Sequence, residues 1–201
     1  MELSHVKKSF LTENILDDIN LKIADGDLIY IRGINGSGKS TLLKIMAGLM
    51  KPDEGEVAAE SGKTIGALIE NPGFIENETA AFNMKFLFNI KNRFDEKIVR
   101  GYFDLFELDY ASRKKVSKYS VGMRQKLGII QAVMEGQNIL LFDEPTRGLD
   151  EKSTGQFCRM INKMKSEGKQ IVICAHDGVK DIEFTREYVL HDGVLEDMAA
   201  V

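Results

Sequence analysis

The sequence predicts an α/β fold: a mainly parallel sheet into which a helical segment is inserted. Three observations predict it. Apolar runs of strand length recur at 27–32, 138–142 and 170–175, as in strands buried on both faces of a sheet. Between 79 and 135 the apolar residues switch to spacings of three and four, the period of a helix. A glycine-rich stretch, Gly33-Ile34-Asn35-Gly36-Ser37-Gly38-Lys39-Ser40-Thr41, joins the first of those strands to a helix expected over about 40–49.

That stretch carries the first functional signal. Two glycines with four residues between them, Gly33 and Gly38, followed by Lys and Ser, let the backbone N–H groups curl into a nest for phosphate oxygens. In such a pattern Lys39 reaches the β- and γ-phosphates and the Ser40 hydroxyl can ligand Mg²⁺. The helix that follows points its positive end at the anion. The plain alternative is a glycine-rich turn, and residue frequencies put a chance match on the order of 1 in 100. The strand before it and the helix after it supply the context a phosphate loop needs.

Bulk composition bounds the rest. With 201 residues and 43% hydrophobic content, the chain can form one large domain or a core with a subdomain. Net charge is -4 and no basic block is present, so nucleic acid is not an expected partner. Cys174 lies in the apolar run Ile171-Val172-Ile173-Cys174-Ala175 and reads as a small buried hydrophobe, while Cys158 falls in an expected helix. No apolar run approaches the ~18 residues of a membrane span, and the N-terminus carries no signal-peptide pattern. A soluble chain is expected, with any membrane role supplied by a partner.

In chain order, β-like runs open the sequence at 2–6 and 15–23, the second alternating in its latter half. Phe10 lies between them and reads, from the residues alone, as a core or hairpin aromatic. After the phosphate-loop helix, Lys51-Pro52-Asp53-Glu54-Gly55 is a turn. Strand-like pieces follow at 55–58 and 63–69, the second breaking at Glu70-Asn71-Pro72-Gly73. Helices are expected at 80–90, 94–106 and 121–134, with Asn77-Glu78-Thr79 and Ser120 as capping starts. A helix over 151–165 ends at Gly168, and a hairpin turns at Asp192-Gly193.

In a parallel sheet, ligands sit beyond the carboxyl ends of the strands. Three strand ends here carry polar groups: the phosphate loop, Asp143-Glu144 and His176. Asp143 is suited to hold Mg²⁺, directly or through water, and Glu144 to polarise an attacking water as general base. Acids after strands also serve as turn caps, but a phosphate loop needs a carboxylate on its metal side. His176 is placed to contact the γ-phosphate, and His5 and His191 are assigned no role.

The order of these motifs resembles the ATP-binding cassette (ABC) family over essentially the whole chain. Gly33 to Thr41 resembles its Walker A motif, with Gly33, Asn35, Gly36, Ser37, Gly38, Lys39, Ser40 and Thr41 on the nucleotide. Ile139 to Glu144 resembles Walker B, Arg147-Gly148-Leu149-Asp150 the D-loop, with Asp150 on the nucleotide side, and His176 the switch histidine. Lys118-Tyr119-Ser120-Val121-Gly122-Met123-Arg124-Gln125 resembles the signature motif, usually Leu-Ser-Gly-Gly-Gln. It departs at Tyr119, Val121 and Met123 but keeps Ser120 and Gly122, the two that approach the γ-phosphate.

The resemblance implies a P-loop NTPase core of mainly parallel sheet with an antiparallel β subdomain and an inserted α-helical subdomain. Residues 1–74 and 136–201 would form the core and 75–135 the helical part. It implies an ATPase dependent on Mg²⁺, a head-to-tail dimer, and separate transmembrane permease subunits that hold the chain at the cytoplasmic face of the membrane. Phe10 becomes the adenine-stacking aromatic. Glu70 stands where the family normally has Gln, and with Ser40 and Asp143 completes the expected metal side. The surrounding Ile65 to Phe74 resembles the bacitracin-resistance and lantibiotic-immunity branch, which implies outward transport of antimicrobial peptides or drugs. A cassette acting on ribosomes or in DNA repair is the competing class; those usually join two cassettes in one chain. A monomeric phosphate-loop kinase leaves Ser120-Val121-Gly122 unexplained.

Overall fold

A computed structural model describes residues 1–176 and 181–198. In chain order the strands and α-helices are β1 (Glu2–Phe10), β2 (Glu13–Lys22), β3 (Leu28–Arg32), α1 (Lys39–Met46), β4 (Glu54–Ala58), β5 (Ile65–Leu68), α2 (Ala80–Phe88), α3 (Glu96–Leu105), α4 (Val121–Val133), β6 (Ile139–Asp143), α5 (Glu151–Ser166), β7 (Gln170–Ala175), β8 (Arg186–His191) and β9 (Val194–Asp197). They form two sheets. The larger has the order β5-β6-β7-β3-β8-β9, parallel throughout except for the β8–β9 hairpin at its edge. The smaller, β2-β1-β4, is antiparallel. The α/β class with its antiparallel subdomain and inserted helices is therefore the fold observed.

Alternation along the central strands decides where the core lies. Leu28 and Tyr30 of β3, Leu140 and Phe142 of β6, and Ile171 and Ile173 of β7 face α2 to α5. Their neighbours Ile29 and Ile31, Ile139 and Leu141, and Val172 and Cys174 face α1 and the small sheet. Both faces are buried, so these strands read as unbroken apolar runs. Cys158 and Cys174 are buried thiols in the two layers. Among the described residues, no helix is long and apolar enough to cross a membrane.

Local chemistry sets the ends of the elements. Thr79 caps α2 by accepting from the Phe82 N–H, and Ser120 caps α4 by accepting from the Met123 N–H. α3 begins at Glu96 and not at Phe94, because Asp95 accepts from the N–H groups of Lys97 and Ile98. α1 stops at Met46, short of Leu49, where the N–H groups of Leu49 and Met50 turn back to the Lys44 carbonyl and Gly48 takes φ 71°. α2 ends at Phe88, leaving Ile90 beyond it 63% exposed. β1 runs on to Phe10 through Lys7-Lys8-Ser9 because β2 pairs with it as far as Phe10 opposite Glu13. Asp192 and Gly193 both take positive φ at the β8–β9 turn, as the Asp-Gly hairpin demands.

One close approach fixes how α4 sits on the sheet. A Cβ added at Gly66 in β5 would lie 1.8 Å from the Ala132 carbonyl oxygen of α4. That atom is backbone and cannot swing aside. Gly66→Ala should therefore destabilise the protein by at least about 1–3 kcal/mol through overpacking. Chemical denaturation checks this; an unchanged midpoint would mean that strand and helix separate without cost.

Candidate active site

The parallel strands end on one edge of the large sheet, and the polar groups converge there. β3 runs into the phosphate loop, β6 ends in Asp143-Glu144 and β7 in His176. With the order β6-β7-β3, the two chemistry-bearing ends flank β7. A cavity of about 540 Å³ opens beside them. Phe10, Asn35, Gly36, Gly38, Lys39, Ser40, Thr41, Glu70, Asp143 and Glu144 line it, ten of the residues expected from the sequence.

The loop is built by backbone conformations only glycine adopts easily. Gly36 takes φ 85° and Gly38 φ 98°, the latter as the residue before the first turn of α1. Lys39 is 6% exposed and its Nζ donates to the Gly33 and Ile34 carbonyls at 2.5 and 3.0 Å. The Ser37 hydroxyl is buried without a hydrogen-bond partner. Ser37 does not line the cavity; its side chain lies against Gly33, on the side of the loop that faces the β8–β9 turn.

The metal side is equally compact. The Ser40 hydroxyl donates to Asp143 Oδ2 at 2.5 Å, bringing two hard oxygen ligands together at the start of α1. Mg²⁺ takes few protein ligands and completes its octahedron with phosphate oxygens and waters, so this pair fits it. Among the described residues no group of three His, Cys, Asp or Glu side chains could hold an ion unaided. Glu70 lines the same cavity at φ 56°, but its Oε1 accepts from Lys44 Nζ of α1 at 2.5 Å.

Glu144 is held at several points. Its backbone takes φ 46°, left-handed for a non-glycine residue. The Glu144 N–H donates to the Cys174 carbonyl at 2.8 Å, and Oε1 accepts from the His176 N–H at 2.8 Å. The end of β7 thus orients the carboxylate. Cys174 behind it is fully enclosed; burial, with Asp143 nearby, pushes its thiol well above the usual range, so it stays a neutral packing group.

Other expected residues lie elsewhere. Ser120 is exposed at the start of α4, and neither it nor Gly122 lines the cavity. Asp150 caps α5: its carboxylate accepts from the Ser153 N–H at 2.7 Å, and hydrogen bonds from Ser153 hold it below the usual carboxylate range. Its place is thus away from this cavity too. Phe10 is 44% exposed at the cavity mouth with Lys8 Nζ 5.5 Å from its ring centroid. Two contacts went unread in the sequence. Lys44 meets Glu70 across 26 residues, and Gln125 Nε2 donates to the Glu144 and Pro145 carbonyls at 3.0 and 2.9 Å. Gln125 stood within the signature-like stretch, which was the one available signal.

Strand, glycine-rich loop and helix around this cavity define a phosphate-loop nucleotide site. The family model described as ABC transporter matches residues 16–147, well over half of the chain, and the chain belongs to that family. It is the ATP-binding, ATP-hydrolysing subunit of an ABC transporter. The lantibiotic transport ATP-binding protein SrtF of Streptococcus pyogenes is 30% identical over 94% of this chain and 85% of its own length. The bacitracin transport ATP-binding protein BcrA of Bacillus licheniformis is 28% identical over 97% of this chain and 68% of its own. A dimeric bacterial ABC transporter cassette of known structure matches with a TM-score of 0.87 at 28% identity, over 97% of this chain and 96% of that one.

Lys39→Ala should weaken ATP binding roughly 10- to 100-fold, the loss of charge-assisted hydrogen bonds. Titration with a fluorescent nucleotide checks it, and unchanged affinity would contradict the role given to the loop.

Proposed function

We propose that two copies of this chain, or one copy and a close relative, sandwich ATP head to tail and drive transmembrane permease subunits at the cytoplasmic face of a membrane. The observation that carries the proposal is the separation of the two phosphate-directed elements. Lys39, Ser40, Asp143 and Glu144 lie around one cavity, whereas Ser120 opens α4 on exposed surface outside it. A helix start with a capping hydroxyl and unpaired N–H groups is a good phosphate donor. Within one chain it has no phosphate to meet, so a second chain's nucleotide is its natural ligand. The dimeric cassette among the structural neighbours supports a dimer.

Each residue takes a role in that sandwich. The loop amides and Lys39 hold the β- and γ-phosphates, Phe10 stacks on the adenine, and Ser120 and Gly122 close on the γ-phosphate from the partner. Asp150 acts from the turn that faces the partner copy. Ser40 and Asp143 would hold Mg²⁺, with Glu70 on the same side, and the bound ion would supply positive charge against the phosphates. Glu144 accepts a proton from the water that attacks the γ-phosphorus as the bond to ADP breaks, and His176 steadies the γ-phosphate. Closure with ATP and reopening after hydrolysis supply the motion. We divide the chain into a core of 1–74 and 136–201 and a helical part of 75–135.

Docking of permease subunits is supported by the surface of α2 and of the segments on either side of it. Ile75, Phe82, Phe86 and Ile90 are 42–63% exposed, and Phe82 and Phe86 stack at 6.4 Å. Such a patch marks a protein contact. The names of the relatives favour an antimicrobial peptide of the lantibiotic or bacitracin type as the cargo, moved outward.

Glu144→Gln should retain ATP binding, lose roughly 10²–10⁴-fold in hydrolysis and accumulate as an ATP-bound dimer. Sedimentation with ATP at high protein concentration checks this; a persistent monomer would exclude the sandwich. Glu70→Gln removes a partly exposed ion pair and should keep ATPase activity within about tenfold. An inactive variant would show that the carboxylate itself is needed. Purification from membranes should bring down a multi-span membrane protein, and recovery on ribosomes instead would overturn the transport reading.

A further inference from the structure

We infer that Gln125 is a positioning residue for Glu144, so that the helix opening at Ser120 sets the geometry of the hydrolytic carboxylate. The inference rests on Glu144 being the general base. Glu144 sits in a left-handed conformation that side-chain-bearing residues avoid, and it stays there only because its surroundings hold it. Two of the holds come from β7: the Cys174 carbonyl on its N–H, and the His176 N–H on its carboxylate. The third comes from α4. One amide nitrogen, Gln125 Nε2, donates to the Glu144 and Pro145 carbonyls together, at 3.0 and 2.9 Å.

The clamp is tightened by a second contact in the same place. A Cβ on Gly122 would lie 2.5 Å from the Gly148 carbonyl oxygen, so the first turn of α4 lies directly against the turn after Glu144. Gly148 itself takes φ 74°, and a Cβ there would lie 3.0 Å from Val121 Cγ1. Neither backbone has room to shift without the other. Ser120, Gly122 and Gln125 belong to this one helix start. A force on Ser120 therefore reaches the carbonyl of Glu144 through a single turn of helix and one side chain.

A leucine at 125 would match the bulk but remove the donor that the two carbonyls share, the Glu144 carbonyl keeping only the Arg147 N–H at 3.1 Å, and a glutamate would set an acceptor against them. Gln125→Leu should lower kcat roughly 10- to 100-fold, the effect of misplacing a catalytic group, while ATP affinity without Mg²⁺ stays within about twofold. Amide hydrogen exchange over residues 144–149 should quicken, with α5 beyond residue 155 unchanged. In a Glu144→Gln background the same substitution should remove less than about twofold further activity, because the group it orients is already disabled. Where Gln125→Leu lowers the melting temperature as a whole, Gln125→Glu, which keeps size and polarity, replaces it in each measurement.

Unchanged exchange over 144–149, an unchanged kcat, a parallel loss of ATP affinity, or losses that multiply in the double variant would each overturn the inference. A Glu144→Gln variant that hydrolyses ATP normally would instead remove the general-base reading, and the catalytic part of the inference with it. Unchanged exchange in Gln125→Leu removes the inference alone.

Discussion

The hydrogen bond from Ser40 to Asp143 ties the first turn of α1 to the carboxyl end of β6. It links elements that do not follow from neighbouring strands, since β7 lies between β3 and β6. The three strands stay in register through paired backbones, Leu28 with Ile171 and Leu140 with Ile171. That shared register brings Arg32, Asp143 and Ala175 to one edge. Buried apolar side chains on both faces keep the edge from shifting, since a slip of one residue would exchange the two faces of every strand. The chemistry at the edge depends on packing far below it.

The same edge carries two acids on left-handed backbones, Glu70 and Glu144. Conformations of this kind cost of order 1–3 kcal/mol each and persist where other contacts over-determine them. At Glu144 those contacts are hydrogen bonds from two different elements, β7 and α4. At Glu70 the side chain is drawn to Lys44 of α1. In both cases an acid at a strand end is held by something other than its own strand. Each is therefore sensitive to the relative placement of sheet and helix.

Much of this was legible in the residue order. The run Gln170-Ile171-Val172-Ile173-Cys174-Ala175 is a strand with those same limits, because two-sided burial leaves an unbroken apolar signature. The glycine-rich loop and Asp143-Glu144 were legible because phosphate and metal chemistry restrict residue type at fixed spacing. What stayed hidden depended on tertiary neighbours. β1 continues through Lys7 and Lys8 because Lys7 pairs with Glu54 of β4 and Lys8 with Leu16 of β2, and no apolar pattern marks that extension. Asp95 was unread as a cap because Phe94 beside it carried the helical period. The Lys44 to Glu70 pair and the Gln125 clamp join residues 26 and 19 apart, and neither spacing has a local meaning.

The close seat of Gly66 under Ala132 has a mechanical consequence. There the backbone of α4 lies directly on the backbone of β5, near the end of the helix opposite Ser120. From Ala132 back to Ser120 the helix spans roughly 18 Å. A residue with no side chain beneath one end of that helix thus sets how closely the element that carries Ser120 lies on the sheet.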